Sequence, residues 1–435
     1  MLFTFNELKQ LFPKHRLILE DSRTIKEITT DSRKKTERSL FIPIIGETFN
    51  GHHFAEQAIA NGAIALIWDE KEELPSSIPS DFPVFFTEDT TKSLQDLADY
   101  YRKAVNPTVI GITGSNGKTT TKDLVSSMMK TAYRTHATVG NLNNHNGLPL
   151  TILAMPRDTE VLVLELGMSD FGEIDLLTKI AEPDIAIITN IGESHIEYLG
   201  SKEGIASAKL EIINGMKDGA TLIVDGDEPL LQNIHIDKNL KILRCGFSEK
   251  NDLQIVSTAV SIHGTKFLTA EGQEYDVPLA GRHHAKNAGY ALLVAKLYGF
   301  PLEKQREGLE SLSHSAMRFE LKPGWNGSVI VNDSYNASPT SMKGSIDVMK
   351  QIDGFSKRIL VLGDILELGD FADAMHRSIA EVIVPPITHL YTYGDKAKLI
   401  TVRVQETQQT IQSGHFETKD DLVLALKKEL TEETI

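Results

Sequence analysis

The sequence predicts an α/β protein of three domains: a mixed α/β N-terminal domain, a central domain with a parallel sheet and a phosphate-binding loop, and a C-terminal Rossmann-like domain. The chain has 435 residues, and at roughly 150 residues per domain this length accommodates about three. A pattern of strand, loop and helix begins near residue 91 and starts afresh near residue 313, which is typical of parallel sheets with right-handed crossovers. We therefore place the domains at residues 1–90, 91–312 and 313–435.

The composition is that of an ordinary globular chain with an acidic balance. Hydrophobic residues make up 41% and charged residues 24%, so each domain can bury a core. Lys and Arg number 45 against 60 Asp and Glu, a net charge of −15. This balance argues against nucleic-acid partners and anionic membranes, because those partners need a basic surface. Small phosphate ligands stay compatible with it, since they need only local positive charge.

The chain also lacks the features of secreted and membrane proteins. Cys245 is the single cysteine, which excludes an internal disulfide and a zinc site built on cysteines. Residues 1–15 are interrupted by charged side chains, so they do not form a signal peptide. No apolar run approaches the ~18 residues that a membrane helix needs. We expect no membrane insertion and a cytoplasmic location.

Short apolar runs predict the strands. In the first domain such runs alternate with polar turns, which favours a mixed α/β arrangement. In the other two domains the runs are continuous, as is typical of parallel strands buried on both faces. Pro339 suits the first turn of a helix between the last two of these strands. The predicted strands of the second and third domains are 109–113, 161–164, 185–188, 329–331 and 359–362.

A glycine-rich turn between the strand 109–113 and the following helix predicts a nucleotide site. Glycines there let consecutive backbone N–H groups surround phosphate oxygens, and the start of the helix adds positive potential. Lys118 can reach the β- and γ-phosphates, and the Thr119 hydroxyl can bind Mg²⁺. The loop is a variant, because Ile112 stands where the strict pattern has glycine. The alternative is a turn with a chance Gly-Lys-Thr sequence, but its position between a strand and a helix favours a nucleoside triphosphate.

Two polar residues follow the next strands of the central domain. Ligands of open α/β sheets gather beyond the carboxyl ends of the strands. Glu165 ends the run 161–164, where a carboxylate can hold Mg²⁺ directly or through water; the alternative is a solvated strand end. His195 lies in the loop after the strand 185–188. A single loop histidine is more often a surface group, so local sequence does not favour a role for it.

Lys209 occupies an unusual place in a predicted helix from about 203 to 217. Its apolar residues form one stripe at helical spacing, and Lys209 falls inside that stripe. A lysine there must extend to solvent, find a carboxylate or lose its proton. A neutral amine near a metal can also capture carbon dioxide as an anionic carbamate. The sequence alone does not choose among these states. The stripe consists of Ile205, Ala208, Ile212 and Met216.

Three further residues are candidates for nucleotide contacts. Asn287 precedes an apolar helix and offers both a donor and an acceptor for adenine, although a helix cap is an equal alternative. Arg318 lies near the start of the third domain and can contact a transferred phosphoryl group or form an interdomain salt bridge. Asp333 ends a strand, where an acid can bind a ribose hydroxyl or cap the next helix.

Together these motifs resemble the Mur ligases, the ATP-dependent amide-forming enzymes that assemble the peptidoglycan stem peptide. The similarity covers nearly the whole chain. Several stretches resemble in particular the members that add D-alanyl-D-alanine. These stretches are GSNGKTTTK from 114, GNLNNHNGLPLTIL from 140, ELGMSDFGEI from 165, TNIGESHIEYLGS from 189, ASAKLEI from 206, NDSYNASPTSM from 332 and LGDILELGD from 362.

The resemblance implies an activity and assigns roles to residues. It implies a ligase that joins D-alanyl-D-alanine to UDP-N-acetylmuramoyl-tripeptide through an acyl phosphate, with ATP and Mg²⁺. It implies that Glu165, His195 and Lys209 hold magnesium with Thr119, that Lys209 is carbamylated, and that Lys118 and Arg318 are catalytic. Asn287 is expected at adenine, Arg318 at the phosphates and Asp333 at the ribose. The remaining nucleotide contacts are expected from Gly114, Ser115, Asn116, Gly117, Lys118, Thr119 and Thr120.

The resemblance also implies a substrate site in the first domain and two departures within the chain. The first domain resembles the family's cradle for the uridine diphosphate, and Asn50 stands there in place of an aspartate. His283-His284 replaces a His-Asn pair in the adenine motif. The family usually continues into a Lys-Gly-Ser-Arg-like strand and a final helix, so we expect a shortened third domain. The expected substrate-binding residues are Ser32, Arg33, Gly46, Asn50, Asn141, Asn144 and Asn336.

Rival functions differ in substrate or in class. One is another amide ligase, adding the third stem-peptide residue or adding glutamate to folate, but the runs 141–144 and 335–339 argue against both. Another is a nucleotide-dependent switch that hydrolyses ATP without ligating anything. We expect small-molecule substrates and a monomer. No motif specifies the third residue of the tripeptide.

Overall fold

The computed structural model describes residues 1–16, 22–234, 237–312 and 316–435. They form an α/β molecule with a mixed first sheet, a large central sheet and a smaller C-terminal parallel sheet. Within these ranges no helix is long and apolar enough to cross a membrane. The predicted boundary at 312/313 adjoins residues 313–315, which lie outside the described residues, and the exact domain boundaries stay predictions.

The first region has a mixed sheet, as predicted. Its order is β2-β7-β6-β5-β4, with β2 antiparallel and the others parallel, while β1 and β3 form an antiparallel pair. The strands are β1 (Phe3–Thr4), β2 (His15–Arg16), β3 (Thr24–Ile25), β4 (Glu27–Thr29), β5 (Ser39–Phe41), β6 (Ala63–Asp69) and β7 (Val84–Thr87). The helices are α1 (Phe5–Leu11), α2 (Ala55–Ala60) and α3 (Thr90–Val105).

The central region is a sheet in the order β16-β15-β14-β13-β12-β11-β8-β10-β9. Its strands are β8 (Thr108–Thr113), β9 (Thr135–Ala137), β10 (Val161–Glu165), β11 (Ile185–Ile188), β12 (Thr221–Asp225), β13 (Lys241–Gly246), β14 (Leu253–Ser261), β15 (Gly264–Thr269) and β16 (Glu274–Val277). Its helices are α4 (Lys118–Lys130), α5 (Gly147–Ala154), α6 (Glu173–Ala181), α7 (Ile196–Leu199), α8 (Lys202–Leu210), α9 (Ile212–Gly215), α10 (Arg282–Leu297) and α11 (Leu302–Glu310).

The topology of this sheet positions the site. β8 lies between β10 and β11, and both pairings are parallel. The carboxyl ends of the three strands therefore meet at one edge, and the segments that follow them start side by side. The central sheet is parallel from β9 to β14, as predicted, and its far side adds an antiparallel ribbon of β14, β15 and β16 that the sequence analysis did not foresee. These strands alternate buried and exposed residues, as a ribbon with one solvated face does.

The third region contains a parallel sheet in the order β19-β20-β21 and a separate antiparallel pair. Its strands are β17 (Glu320–Pro323), β18 (Val329–Asn332), β19 (Ile359–Leu362), β20 (His389–Tyr393) and β21 (Gln412–Phe416). Its helices are α12 (Pro339–Gln351), α13 (Ala372–Ile379), α14 (Lys398–Thr407) and α15 (Lys419–Glu429). Pro339 is at the first position of α12, as predicted.

Two expectations about single elements are wrong. The run 329–331 was expected to be a buried parallel strand, but β18 pairs antiparallel with β17 across a tight turn and is partly exposed. The predicted helix from 203 to 217 breaks at Glu211 into α8 and α9. The Glu211 carboxylate accepts hydrogen bonds from Gly172 N (2.8 Å) and Asp175 N (3.1 Å), so it caps the start of α6.

Candidate active site

The phosphate-binding loop lies between β8 and α4, as its sequence predicts. Gly114 and Gly117 have φ values of 150° and 77°, a region that favours glycine. A Cβ atom at Gly114 would lie 1.8 Å from Thr189 Oγ1, and one at Gly117 would lie 2.8 Å from Asn287 Oδ1. Neighbouring segments therefore pack directly against the loop backbone, leaving no room for side chains at these two positions.

The segment after β11 braces the loop. Thr189 Oγ1 and Asn190 Nδ2 both donate to the Asn116 carbonyl, at 2.6 and 2.9 Å. In return, Asn116 N donates to Asn190 Oδ1 at 3.0 Å, and Gly192 N donates to Ser115 Oγ at 2.8 Å. The conformation of the phosphate-binding loop is thus held by residues that lie outside its own sequence motif. Sequence reasoning missed these partners, although they lie within the quoted TNIGESH stretch.

Lys118 begins α4 and curls back over the loop. Its Nζ donates to the carbonyl oxygens of Gly114 (2.8 Å) and Ser115 (3.3 Å). Burial lowers the pKa of Lys118, Arg318 lowers it further, and Glu165 opposes the shift. The amine lies where bound phosphates would meet the loop, so an incoming polyphosphate would favour its charged form.

Glu165, at the end of β10, is buried rather than solvated. It is 3% exposed, and its Oε1 accepts a hydrogen bond from Asn143 Nδ2 at 2.8 Å. Its Oε2 is buried with no hydrogen-bond partner in the described part of the chain. A buried carboxylate oxygen without a partner is costly. This excludes the solvated-strand alternative and fits an oxygen that binds a cation.

His195 lies at the start of α7 with a left-handed backbone, φ 64°. Its Nδ1 lies in close contact with the carboxylate of Glu367, which belongs to the third region. Burial lowers the pKa of His195, Lys118 and Lys209 lower it further, and Glu367 opposes them. The histidine is thus not a surface group, and it lies in the same electrostatic environment as the phosphate loop.

Lys209 is buried on the predicted stripe. It is 2% exposed, and its stripe neighbours are buried with it. Burial, with the nearby charge of Lys118, lowers the pKa of Lys209 well below its ordinary value. Over the described ranges no hydrogen bond or ion pair involves its Nζ. Extension to solvent and pairing with a carboxylate are therefore excluded, which leaves a neutral amine or a modified one.

Metal-binding capacity at this edge depends on that lysine. Across residues 1–16, 22–234, 237–312 and 316–435, no three His, Cys, Asp or Glu side chains form a cluster suited to a metal. The predicted set contains only two such side chains, Glu165 and His195. Its further members are Thr119, which is half-buried in the first turn of α4, and Lys209.

Asn287 lies inside α10 rather than at its start. The helix begins at Arg282 with Gly281 as its N-cap, so the capping alternative is wrong. Asn287 is 5% exposed, contacts the phosphate loop at Gly117, and lies 3.3 Å from His284 Nδ1 through its Nδ2. Its amide thus lies beside the loop. A nucleotide whose phosphates bind the loop would place its ribose and base in this direction.

Arg318 and Asp333 lie together in the third region. The Arg318 guanidinium lies over the Tyr335 ring at 4.2 Å, and its charge lowers the pKa of Lys118. Asp333 accepts from Phe319 N (3.2 Å) and from Ser345 Oγ (2.5 Å), and burial raises its pKa. Since Ser338 is the N-cap of α12, the capping alternative for Asp333 is wrong as well.

The four predicted substrate residues of the first region are engaged within that region. Ser32 Oγ donates to Gln57 Oε1 at 2.7 Å, and Arg33 pairs with Asp31 at 2.9 Å. The Asn50 carboxamide oxygen accepts from His52 N and His52 Nδ1, at 3.0 and 2.7 Å. Gly46 N bonds to Phe49 O at 2.9 Å, and a Cβ atom at Gly46 would lie 2.9 Å from the Phe49 ring.

The remaining three asparagines lie in two loops, Asn141 and Asn144 between β9 and α5 and Asn336 between β18 and α12. Asn144 Oδ1 accepts from Gly147 N at 2.8 Å and so caps α5, while Asn141 is exposed. Asn336 is exposed and borders a cavity of about 730 Å³ between β18 and β19. Asn143, which sequence reasoning did not select from the same run, is the residue that holds Glu165.

Family models match almost the whole chain. Residues 24–102 match the catalytic domain of the Mur ligase family, residues 112–295 match the Mur ligase middle domain, and residues 317–435 match the Mur ligase glutamate ligase domain.

Relatives and solved structures agree with these matches. The chain is 45% identical over 411 residues to the UDP-N-acetylmuramoyl-tripeptide–D-alanyl-D-alanine ligase of Bacillus subtilis, covering 94% of this chain and 88% of that protein. It is 31% identical to the Escherichia coli ligase of the same name, covering 95% and 89%. A crystal structure of MurF from Acinetobacter baumannii has a TM-score of 0.84 at 28% identity, covering 98% and 99%. MurF from Thermotoga maritima in complex with ADP has a TM-score of 0.81 at 28% identity, covering 94% and 92%.

Proposed function

The chain belongs to the Mur ligase family, and we infer that it is the ATP-dependent ligase that joins D-alanyl-D-alanine to UDP-N-acetylmuramoyl-tripeptide. Its product is the UDP-N-acetylmuramoyl-pentapeptide of peptidoglycan synthesis, formed with release of ADP and phosphate. The observation that carries this inference is the 45% identity across 94% of the chain to a ligase of that name. The nucleotide site supports it, because Asn287 packs against Gly117 of the phosphate loop and the charge of Arg318 acts on Lys118.

The first step is phosphoryl transfer. A terminal carboxylate oxygen of the tripeptide attacks the γ-phosphorus of ATP, the bond to the β,γ-bridging oxygen breaks, and ADP leaves with that electron pair. Lys118 and Arg318 contribute positive charge where negative charge builds up on the transferred group. Their proximity is supported by the charge of Arg318, which lowers the pKa of Lys118.

The second step forms the amide. The amine of D-alanyl-D-alanine attacks the carbonyl carbon of the acyl phosphate, and phosphate leaves with the former carboxylate oxygen. The amine loses a proton in this step. Positioning contributes most of the rate enhancement in such reactions. The acyl phosphate must also be kept from water, and contact between the second and third regions at His195 and Glu367 supports a site that closes over it.

The donor set fits magnesium. The unpartnered Oε2 of Glu165 is a hard, buried oxygen ligand of the kind that Mg²⁺ prefers, and Thr119 supplies a hydroxyl at the start of α4. When bound, Mg²⁺ neutralises phosphate charge and aligns the γ-phosphate for attack. His195 and Lys209 complete the proposed set.

Carbamylation of Lys209 is the finer part of the proposal. A buried amine with a lowered pKa is neutral at moderate pH, and only the neutral amine adds carbon dioxide. The carbamate would supply a second anionic ligand beside the carboxylate of Glu165. It would also replace a buried unpartnered amine with a group that a cation and neighbouring charges stabilise.

The remaining roles rest on the resemblance to the family. Asn287 is proposed at adenine, Asp333 at the ribose, and the backbone of residues 114–120 at the phosphates. The uridine-diphosphate end is proposed to bind the cradle of Ser32, Arg33, Gly46 and Asn50. Asn141, Asn144 and Asn336 are proposed as contacts for the rest of the substrates. The monomeric state, the cytoplasmic location and the domain boundaries stay predictions.

An isotope experiment tests the two-step mechanism. Tripeptide substrate labelled with ¹⁸O in its terminal carboxylate is incubated with ATP, Mg²⁺, D-alanyl-D-alanine and enzyme, and the released phosphate is analysed by mass spectrometry. We expect one ¹⁸O atom in each phosphate, because the carboxylate oxygen leaves with the phosphoryl group. Unlabelled phosphate alongside the pentapeptide product would contradict the acyl phosphate.

A further inference from the structure

The Asn116 side chain links the phosphate loop to the third region. Its backbone is held by Thr189 and Asn190, so only the side-chain amide is free to turn. Its Oδ1 accepts a hydrogen bond from Ser338 Oγ at 3.0 Å. Ser338 is separated from the loop by more than two hundred residues in sequence, is 3% exposed, and caps α12.

The capping arrangement leaves the Ser338 hydroxyl proton available for this contact. Ser338 Oγ accepts from Ser341 N at 3.2 Å, which uses the oxygen as the helix cap. Ser341 Oγ accepts from Ser338 N at 2.9 Å and donates to Ser338 O at 3.1 Å. The Ser338 hydroxyl has two acceptors, Ser341 Oγ and Asn116 Oδ1, each at 3.0 Å, and Asn116 Oδ1 is the one that lies outside its own helix. The hydroxyl therefore acts as an acceptor for its own helix and as a donor to the loop.

In this arrangement the Asn116 amide presents its oxygen to Ser338. Because Oδ1 accepts from Ser338, Nδ2 is directed elsewhere, and it is buried with no hydrogen-bond partner within the residues that the structure describes. A Cβ atom at Gly192 would lie 3.1 Å from Nδ2, so the loop after β11 confines the amide further. An N–H donor held without a partner beside a phosphate loop suits a phosphoryl oxygen.

A second contact docks the same end of α12. Thr340 Oγ1 donates to Glu193 Oε2 at 2.6 Å, and Lys202 Nζ pairs with Glu193 Oε1 at 2.8 Å. This contact joins the third region to the central region without touching the phosphate loop. A substitution of Thr340 can therefore weaken the docking of α12 without changing the hydrogen bond to the Asn116 amide.

We propose that Ser338 is a positioning residue, which holds the Asn116 amide with Nδ2 toward the phosphoryl group that ATP transfers. The proposal rests on the proposed function. Ser338 reaches Asn116 only while α12 lies against the loop. Asn116 Nδ2 is therefore held toward the phosphoryl group only when the two regions are docked. An amide released from Ser338 can turn its Oδ1 toward the phosphates, where an oxygen repels them.

The test compares three variants in steady-state kinetics with the full set of substrates. Ser338→Gly removes the hydroxyl yet keeps an acceptable helix cap, and we expect kcat to fall by about tenfold with KM for ATP changed less than about twofold. Ser338→Thr keeps the hydroxyl and is expected to retain most of the kcat. Thr340→Val removes the docking hydrogen bond alone and is expected to leave kcat within about twofold.

A double-mutant cycle tests whether Ser338 acts through Asn116. Asn116→Ala is expected to lower kcat by about a hundredfold, and adding Ser338→Gly to it is expected to have no further effect. An equal loss of kcat on adding Ser338→Gly to Asn116→Ala would overturn the proposal. So would a Thr340→Val variant as slow as Ser338→Gly, since docking alone would then explain the effect.

The experiments distinguish an error in the proposed ligase function from an error in the role of Ser338. A wild-type chain that forms no pentapeptide would contradict the ligase itself, before any variant is compared. A wild-type chain that ligates, with Ser338→Gly unchanged in kcat, would leave the ligase standing and overturn the role of Ser338.

Discussion

Lys209 illustrates how one residue ties local pattern to chemistry. Its place on an apolar stripe predicts burial, and the structure confirms burial without an ion pair in the described ranges. Removing a cation from water favours its neutral form, which explains the lowered pKa. The pattern cannot reveal what replaces the lost charge, because that depends on carbon dioxide and on groups brought together by folding.

We predict a carbamate on Lys209 that NMR can detect. Enzyme equilibrated with ¹³C-bicarbonate should give a carbamate carbonyl signal that is lost in Lys209→Arg, because arginine stays protonated. Since the pKa of Lys209 is lowered, its neutral fraction rises at lower pH than for an exposed lysine. The signal should therefore persist below the pH at which surface-lysine carbamates disappear. A spectrum that is the same for both proteins would contradict the modification.

Lys118 is the residue on which phosphoryl transfer should depend most. Lys118→Ala is expected to abolish turnover, with at least ~10³-fold loss in kcat, because the charge beside the transferred group is removed. Its circular dichroism and thermal unfolding should match wild type, since its hydrogen bonds stay within the loop. The matched control is Lys92→Ala, which removes an exposed lysine on α3. Unchanged turnover in Lys118→Ala would contradict the phosphate-loop assignment.

Sequence predicts the residues of the site better than their partners. Glu165, His195, Lys209 and Asn287 were all found from local pattern or resemblance. Asn143, Glu367 and Ser338 were not. Each matters because of the residue that it contacts, and that contact forms only when the chain folds. The helix-capping alternatives for Asn287 and Asp333 were excluded in the same way, by where α10 and α12 begin.

At the scale of elements, the strand–loop–helix unit of β8 and α4 is the part that the sequence predicts most completely. Apolar runs fixed β11 and β19 to the residue, since buried parallel strands leave a continuous signal. The two predictions that were wrong concern elements whose structure depends on contacts with another element. Helix 203–217 breaks because Glu211 caps α6, and β18 turns antiparallel because a tight turn joins it to β17.

Gly117 offers a test of the loop as an element. Gly117→Ala places a Cβ atom against Asn287 at a left-handed residue, where the backbone alone costs roughly 1–2 kcal/mol. We expect ATP affinity, measured by calorimetry, to fall by about tenfold or more. Gly219→Ala is the control, since Gly219 is also left-handed but a Cβ there meets nothing within 4 Å. Equal ATP affinity in the two variants would contradict the packing of Asn287 on the loop.

At the scale of the whole molecule, the second and third regions meet at the site through a few polar contacts. Asn116 contacts Ser338, Glu193 contacts Thr340, and His195 contacts Glu367. Length and pattern predict that three regions exist, but nothing in the local sequence specifies how they dock. Catalysis in this account depends on that docking, because charges from both regions act on one phosphoryl group. Loss of the Glu193–Thr340 hydrogen bond alone is not expected to undo it, since the other two contacts remain.

Glu193 makes this docking sensitive to acid. Burial raises its pKa, but Lys202 and Thr340 outweigh burial, so the net shift is below the ordinary 4.5. The stabilising contribution is therefore present above pH 4.5 and is lost as pH falls through the lowered pKa. We expect Glu193→Gln to lower the free energy of unfolding by about 1 kcal/mol at pH 7 and by much less near pH 3. Urea unfolding at both pH values measures this, and an equal deficit at both would contradict it.

The most direct test of the central claim is phosphate release by this 435-residue chain, measured with ATP, Mg²⁺, UDP-N-acetylmuramoyl-tripeptide and D-alanyl-D-alanine and with each omitted in turn. The account predicts steady release only when all four are present, matched mole for mole by pentapeptide. Steady release with ATP and Mg²⁺ alone, at the same rate as with both co-substrates, would contradict the ligase and identify a nucleotide hydrolase instead.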